Sequence, residues 1–319
     1  MELIGVPFDL SGKTLGSRLG PAAIRLAGVT ETLGKLGIPL KDGTDIPVLA
    51  PSEMPSRAGG LRNFHAALDC VRTLKARVSH TLGSGDFPLV VGGDHVIALG
   101  AVAGALDAYG DDLAVIWIDA HADVNTPSTS PSGDMHGMPL AALLGLPSGV
   151  DGLADKQWQE LVCGIVPDTR LRPDRAAWFG LREVDPGEQV HLRNLPGRFA
   201  VTMHDVDRHG IVPCLIQFDG WLKKSGAKKL WISFDVDVLD PMLAPGTGTA
   251  VRGGISYREM HIFGEVLYEI LNAADCPYQL AGLDIVEINP LSDTNNITAL
   301  TVVEWIASLC GKRILGPRI

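Results

Sequence analysis

Long apolar runs are missing from this chain: nowhere among its 319 residues do 18 apolar residues follow one another without interruption. That excludes a helical membrane span. Met1 leads straight into the strand-like Leu3-Ile4-Gly5-Val6, with no basic stretch and no apolar run before it, so no signal peptide is expected. Cationic residues are also in short supply, 27 Lys and Arg against 37 Asp and Glu, for a formal net charge of −10. Nucleic acid and anionic membrane surfaces are poor partners for such a chain, because both call for a basic face; a cationic small molecule suits it better. Cysteine is sparse. Cys70, Cys163, Cys214, Cys276 and Cys310 are scattered, odd in number and never in a Cys-x-x-Cys pair, which indicates neither a disulfide framework nor a zinc knuckle and fits a reducing cytoplasm. No composition shift, low-complexity tract or internal repeat marks a boundary, so residues 1–319 read as one domain.

What is present is enough apolar content, 46%, to bury a large core. Strand-like runs recur at residues 1–6, 88–91, 113–118, 176–181, 199–203, 229–234 and 279–285, separated by stretches of helical spacing. That alternation predicts an α/β protein: a three-layer α/β/α arrangement around a mostly parallel central sheet. Leu61, Phe64, Leu68, Val71, Leu74, Val78 and Leu82 fall three or four apart and predict an amphipathic helix over 61–82. A last helix is expected through Ile297, Leu300, Val303, Ile306 and Leu309, with Asp293 or Thr294 placed to cap it. The Pro- and Gly-rich pieces at 50–60, 124–139 and 145–155 read as loops.

The chain is organised around the apolar run Leu113–Ile118, which ends abruptly in Asp119, Ala120, His121, Ala122 and Asp123. Alternate residues of an extended segment point the same way, so the two aspartates and the histidine can converge on one point. Such a group repels itself unless a cation sits within it. Other strand-like runs end similarly: 88–91 in Gly92-Gly93-Asp94-His95, 229–234 in Asp235-Val236-Asp237, 176–181 in a segment reaching Asp185, and 279–285 in Glu287. In a parallel sheet, ligands bind beyond the carboxyl ends of the strands. Together His95, Asp119, His121, Asp123, Asp235 and Asp237 supply two imidazoles and four carboxylates, a ligand set for two divalent cations. The absence of thiolate suits manganese over zinc or copper. Two such ions lower the pKa of water and generate a nucleophile at neutral pH.

These strings, Gly92-Gly-Asp-His95, Asp119-Ala-His-Ala-Asp123 and Ser233-Phe-Asp-Val-Asp237, resemble in order the three metal-binding motifs of the ureohydrolases, the arginase and agmatinase family. The resemblance runs from Gly5-Val-Pro-Phe8 to Glu287-Ile-Asn-Pro290 and implies an arginase-like fold, two Mn2+ ions per subunit and hydrolysis of a guanidino group to urea. It further implies that His95 and Asp123 bind one ion, His121 and Asp237 the other, and Asp119 and Asp235 both. A metal-bridging hydroxide would attack the guanidino carbon, with Asp123 orienting it, His136 relaying protons and Glu287 gripping the guanidinium. The loop from Asn125 to Pro139 looks like the amino-acid-binding loop of arginases. By that likeness Asn125, Ser130 and Ser132 hold a substrate carboxylate, Asp185 reads its amino group, and Thr247 joins the substrate-binding set. A homo-oligomer, trimer or hexamer, is what the family suggests.

The match is incomplete. Asp134 stands where arginases usually carry Asn, Val238 where Gly is common, and residues 145–175 are longer than in the simplest members. L-Arginine, cleaved to urea and L-ornithine, is the leading substrate. N-hydroxyarginine, a guanidino acid or agmatine remains open, as does a non-catalytic arginine-binding role. The cluster His204, Asp205, Asp207 and His209 is expected to be a strand-to-helix turn rather than a second metal site, and Arg18 and Arg25 to make structural ion pairs.

Overall fold

The computed structural model describes residues 1–48 and 60–314; most of the loop expected at 50–60 lies outside the described residues. The elements run β1 (Glu2–Val6), α1 (Gly20–Leu26), α2 (Val29–Lys35), β2 (Lys41–Asp42), α3 (Phe64–Gly83), β3 (Pro88–Gly92), α4 (Ile97–Tyr109), β4 (Leu113–Ile118), α5 (Pro139–Leu143), α6 (Leu153–Gly164) and β5 (Ala176–Leu181). They continue with α7 (Pro186–Asn194), β6 (Phe199–Thr202), α8 (Met203–His209), α9 (Ile211–Ser225), β7 (Lys229–Asp235), α10 (Tyr257–Leu271), β8 (Gln279–Val286) and α11 (Ile297–Leu309). All strands pair in parallel in the order β2-β1-β3-β8-β7-β4-β5-β6.

Side-chain alternation, shifted at irregularities in the β5–β6 and β7–β8 pairings, splits the central strands between two cores. Val115, Trp117, Trp178 and Trp231 face one, with α3 to α6; Ala114, Ile116, Ile118, Phe179 and Ile232 face the other, with α1, α2 and α8 to α11. The result is three layers. Because both faces are covered, the strands read as unbroken apolar runs rather than alternating ones, and each fully buried large apolar side chain contributes roughly 1.5–3 kcal/mol of transfer free energy. The short edge strand β2 has two exposed residues and carries no apolar signal from which it could be read.

Expected and observed helices agree closely at 64–83 and 297–309, but the caps differ. Asn296, in the left-handed region at φ 59°, is the N-cap of α11, while Asp293 sits just upstream and accepts from the backbone N–H of Thr298 at 2.9 Å. The run predicted to extend to residue 203 ends at Thr202, where a capping box with Asp205 starts α8; that accounts for Asp205 in the His204–His209 cluster. Arg18 pairs with Asp9, and Arg25 with Asp42 and Asp45. Part of the longer 145–175 segment forms α6, which buries Trp158.

Sheet order decides where a ligand can go. β3 and β4 are successive in the chain but are separated in space by β8 and β7, so the connections that leave their carboxyl ends diverge and open a crevice there.

Candidate dimetal centre

Four neighbouring strands, β3, β8, β7 and β4, deliver the acidic and imidazole groups to that crevice. β3 continues into Gly92, Gly93, Asp94 and His95. A side chain at Gly93 would overlap the carbonyl of Phe8, so the glycine lets the loop after β1 lie flat against this turn. His95 is then fixed on three sides. Its ring stacks on Trp117 at 4.1 Å between centroids, its Nε2 lies 2.9 Å from Ser233 Oγ, and its backbone N–H donates to Glu287 Oε1 at 2.9 Å. Ser233 in turn donates to Asp284 Oδ1 at 2.6 Å. This buried relay holds the ring with Nδ1 aimed at the centre, as supporting partners of metal-ligating histidines do.

His95 Nδ1 lies 2.9 Å from Asp123 Oδ2, 3.1 Å from Asp119 Oδ2 and 3.2 Å from Asp235 Oδ2, yet it is buried without an aligned hydrogen-bond partner. Beside it, His121 Nδ1 sits 3.0 Å from Asp237 Oδ2 and 3.4 Å from Asp119 Oδ1. The donor atoms of His95, Asp119 and Asp235, and those of Asp119, His121 and Asp237, form two compact groups that share Asp119. Imidazole and carboxylate atoms gathered this closely, with His95 Nδ1 left without an aligned partner, are what a cation site requires.

The electrostatics agree. Burial, then the charges of Asp237 and Asp119, pushes Asp235 well above the ordinary carboxylate range, and burial plus Asp119 brings Asp123 up to about 6. Burial alone would lower His95 and His121, but the surrounding carboxylates hold both well above a normal imidazole. A centre that protonates its own ligands is short of positive charge, and two divalent cations would supply it.

The strand-like alternation expected for Asp119, His121 and Asp123 is not how they converge. β4 stops at Ile118, the chain bends through 119–121, and Asp123 sits in the left-handed region at φ 52°. Glu287 does the same at φ 63°. Backbone strain of about 1–3 kcal/mol per such non-glycine residue is characteristic of functional sites.

A cavity of about 120 Å³ opens beside the centre, lined by His95, His121, Asp123, Asp235 and Asp237 together with Asn125, Ser130, Ser132, Asp134, His136 and Asp185. Asn125 Nδ2 donates to Asp185 Oδ2 at 2.9 Å. The Asp185 N-cap and Glu188 form a capping box that starts α7, and Glu188 also accepts from the backbone N–H of Val124 at 3.1 Å. Glu188, which sequence reasoning missed, lines the cavity too; burial and the Asp123 charge push it up to about 8. His136 Nδ1 lies 3.1 Å from Glu287 Oε1. Burial opposes the charge on His136, but Glu287, with Asp94 and Asp123, holds it up to about 10. Among the described residues Glu287 Oε2 accepts no hydrogen bond, so one carboxylate oxygen remains for a ligand.

The structure does not place Thr247 in the lining of this cavity: it is buried with its hydroxyl unpartnered, whereas Thr249 lines the cavity and donates to Asp237 Oδ2 at 2.9 Å. Two threonines flank Gly248 in an irregular turn, and spacing cannot tell which one faces inward. Arg182 was also missed. Its guanidinium donates to the carbonyls of Asp237, Val238 and Val251, clamping the loop that carries Asp237 and Thr249. An arginine just past a strand end was the only available signal.

A parallel sheet with a buried carboxylate–imidazole centre at the carboxyl ends of its middle strands has the arrangement expected of a metal-dependent hydrolase. The family model described as the arginase family matches residues 1–311. The arginase of Bacillus subtilis is 38% identical over 317 residues, 99% of each chain, and that of Bacillus caldovelox 39% over 318 residues, again 99% of each. The solved B. caldovelox arginase superimposes with a TM-score of 0.87 at 38% identity, over 98% of both chains. The chain belongs to the arginase family, and is a hydrolase acting on the C–N bond of a guanidino group.

Proposed function

We propose that the substrate is L-arginine, cleaved to urea and L-ornithine, and that the centre works with two Mn2+ ions. The observation that carries this reading is the mixed lining of the cavity. Beside the candidate metal ligands it presents the amide of Asn125, the hydroxyls of Ser130 and Ser132 and the Asp185 carboxylate, a set able to receive an α-carboxylate and an α-amino group. Agmatine lacks the carboxylate and would leave those donors unused.

His95, Asp119, His121, Asp123, Asp235 and Asp237 would hold the ions, which when bound activate water and stabilise developing negative charge. The chain's own residues do the remaining work. Glu287 offers its open oxygen to the guanidinium, a charge-assisted contact. Asp123, held by the bent chain, orients the attacking water. His136, kept protonated by Glu287, is poised to protonate the departing amine.

The same reading includes a cytoplasmic homo-oligomer. Leu19, Leu26 and Leu300 border one surface groove, and Leu26 is 85% exposed, an apolar patch of the kind that subunit contact covers. Among the described residues no helix is long and apolar enough to cross a membrane. The test is urea release from arginine, agmatine, guanidinobutyrate and N-hydroxyarginine, before and after chelation and with Mn2+ restored. Preference for agmatine, or activity in verified metal-free protein, would overturn the proposal.

A further inference from the structure

Asp134 presents a problem for the arginine reading. It lines the cavity with Ser130 and Ser132, its backbone N–H bonds Ser132 Oγ, its side chain is only 4% exposed, and a substrate carboxylate arriving there would meet a like charge. The structure places a cation against it. Arg62 Nε lies 2.8 Å from Asp134 Oδ1, pairing by charge rather than by an aligned hydrogen bond, and among the described residues Arg62 makes no other ion pair.

Arg62 is held on both sides. The backbone N–H of Leu61 donates to Gln157 Oε1 at 2.7 Å, and Asn63, the N-cap of α3, donates from Nδ2 to Leu10 O at 2.6 Å. Asp134 is equally constrained: its own N–H bonds Ser132 Oγ at 3.1 Å, and the next N–H, of Met135, bonds Ser11 O at 2.9 Å. Two fixed backbones thus bring opposite charges together at one wall of the cavity.

We infer that Arg62 determines specificity in this enzyme: by neutralising Asp134 it converts a wall that would repel a carboxylate into one that admits it. The inference rests on the arginine reading above. Arg62 acts through Asp134 and therefore positions charge rather than taking part in the chemistry. Its loss exposes the substrate carboxylate to an uncompensated aspartate, and should spare a guanidino compound whose tail carries no negative charge.

The test is a double-mutant cycle on the manganese-loaded enzyme, with Arg62→Gln, Asp134→Asn and the double variant. Arginine and agmatine kinetics are measured alongside calorimetric binding of ornithine. Arg62→Gln should raise the arginine KM and the ornithine Kd together by on the order of tenfold or more, leave kcat within about twofold, and not raise the agmatine KM. Adding Asp134→Asn should bring arginine back to within about threefold of wild type, because the repelling charge is gone; such rescue is the coupling expected of residues in contact. Asp134→Asn alone should hold or lower the arginine KM. Arg62→Lys keeps the charge and should stay near wild type, which guards against Arg62→Gln simply folding poorly.

Equal effects of Arg62→Gln on arginine and agmatine, no effect on either, or failure of Asp134→Asn to rescue would each overturn the inference while leaving arginine as the substrate. A wild-type enzyme that neither cleaves arginine nor binds ornithine would overturn both.

Discussion

Replacing Asp235 by Asn should stabilise the metal-free protein and destabilise the manganese-loaded one relative to wild type. Asp235 is 3% exposed, and burial with the charges of Asp237 and Asp119 raises its pKa well above the ordinary value. A carboxyl group whose folded-state pKa is raised costs stability that is absent below about pH 4 and grows as pH rises toward the folded value. Asn imitates the neutral form and removes that cost, while its carbonyl can still accept from the Asp237 N–H, now 2.8 Å from Oδ1. Two like charges about 4 Å apart repel by up to roughly 4 kcal/mol at an effective dielectric of ~20. His95 Nδ1, 3.2 Å from Asp235 Oδ2, offsets much of this, leaving about 1–2 kcal/mol. With a few degrees of Tm per kcal/mol in a chain of this size, the chelated variant should melt about 2–6 °C above chelated wild type at pH 7, the gap closing toward pH 4. Saturating Mn2+ should reverse the order. Each site occupied at a hundred times its Kd adds about 2.7 kcal/mol, and the variant has lost a ligand. Differential scanning calorimetry at several pH values, with metal content measured on the same samples, reads both signs. A chelated variant that melts below chelated wild type, or equal stabilisation of both proteins by Mn2+, would refute the argument.

Asp235→Ala should abolish urea release and metal retention together; retention of both ions with full turnover would show that Asp235 is not a ligand. His136→Ala should lower kcat by about 10²–10⁴-fold with a smaller change in KM, because a proton donor acts in the transition state; an unchanged kcat with a raised KM would make it a binding residue. Since Glu287 holds the His136 pKa up, Glu287→Gln should lower it by at least about 1 unit in the metal-free protein, read by NMR titration of the imidazole. Arg182→Ala should weaken metal affinity on the order of tenfold or more, measured by metal titration, because the loop bearing Asp237 loses its clamp.

Much of the site was legible in the chain because it is written locally. β4 ends at Ile118 as its apolar run does, and the candidate ligands follow within five residues; His95 stands just past β3, and the Asp235–Asp237 pair straddles the end of β7. A parallel α/β sheet gathers carboxyl ends at one edge, so the periodicity that reveals the strands also reveals where their terminal acids meet. Tertiary structure decided what depends on partners remote in sequence. Glu287 reaches the N–H of a histidine 192 residues earlier, Ser233 and Asp284 hold that histidine's ring, and Arg182 clamps a loop more than fifty residues on. Thr249 rather than Thr247 faces the cavity because an irregular turn, which has no period, sets its direction. The charge of Asp134, unfavourable when read beside Ser132 alone, is matched by Arg62, and no local pattern joins those two residues: only the packing of the segment before α3 against the loop after β4 brings them together.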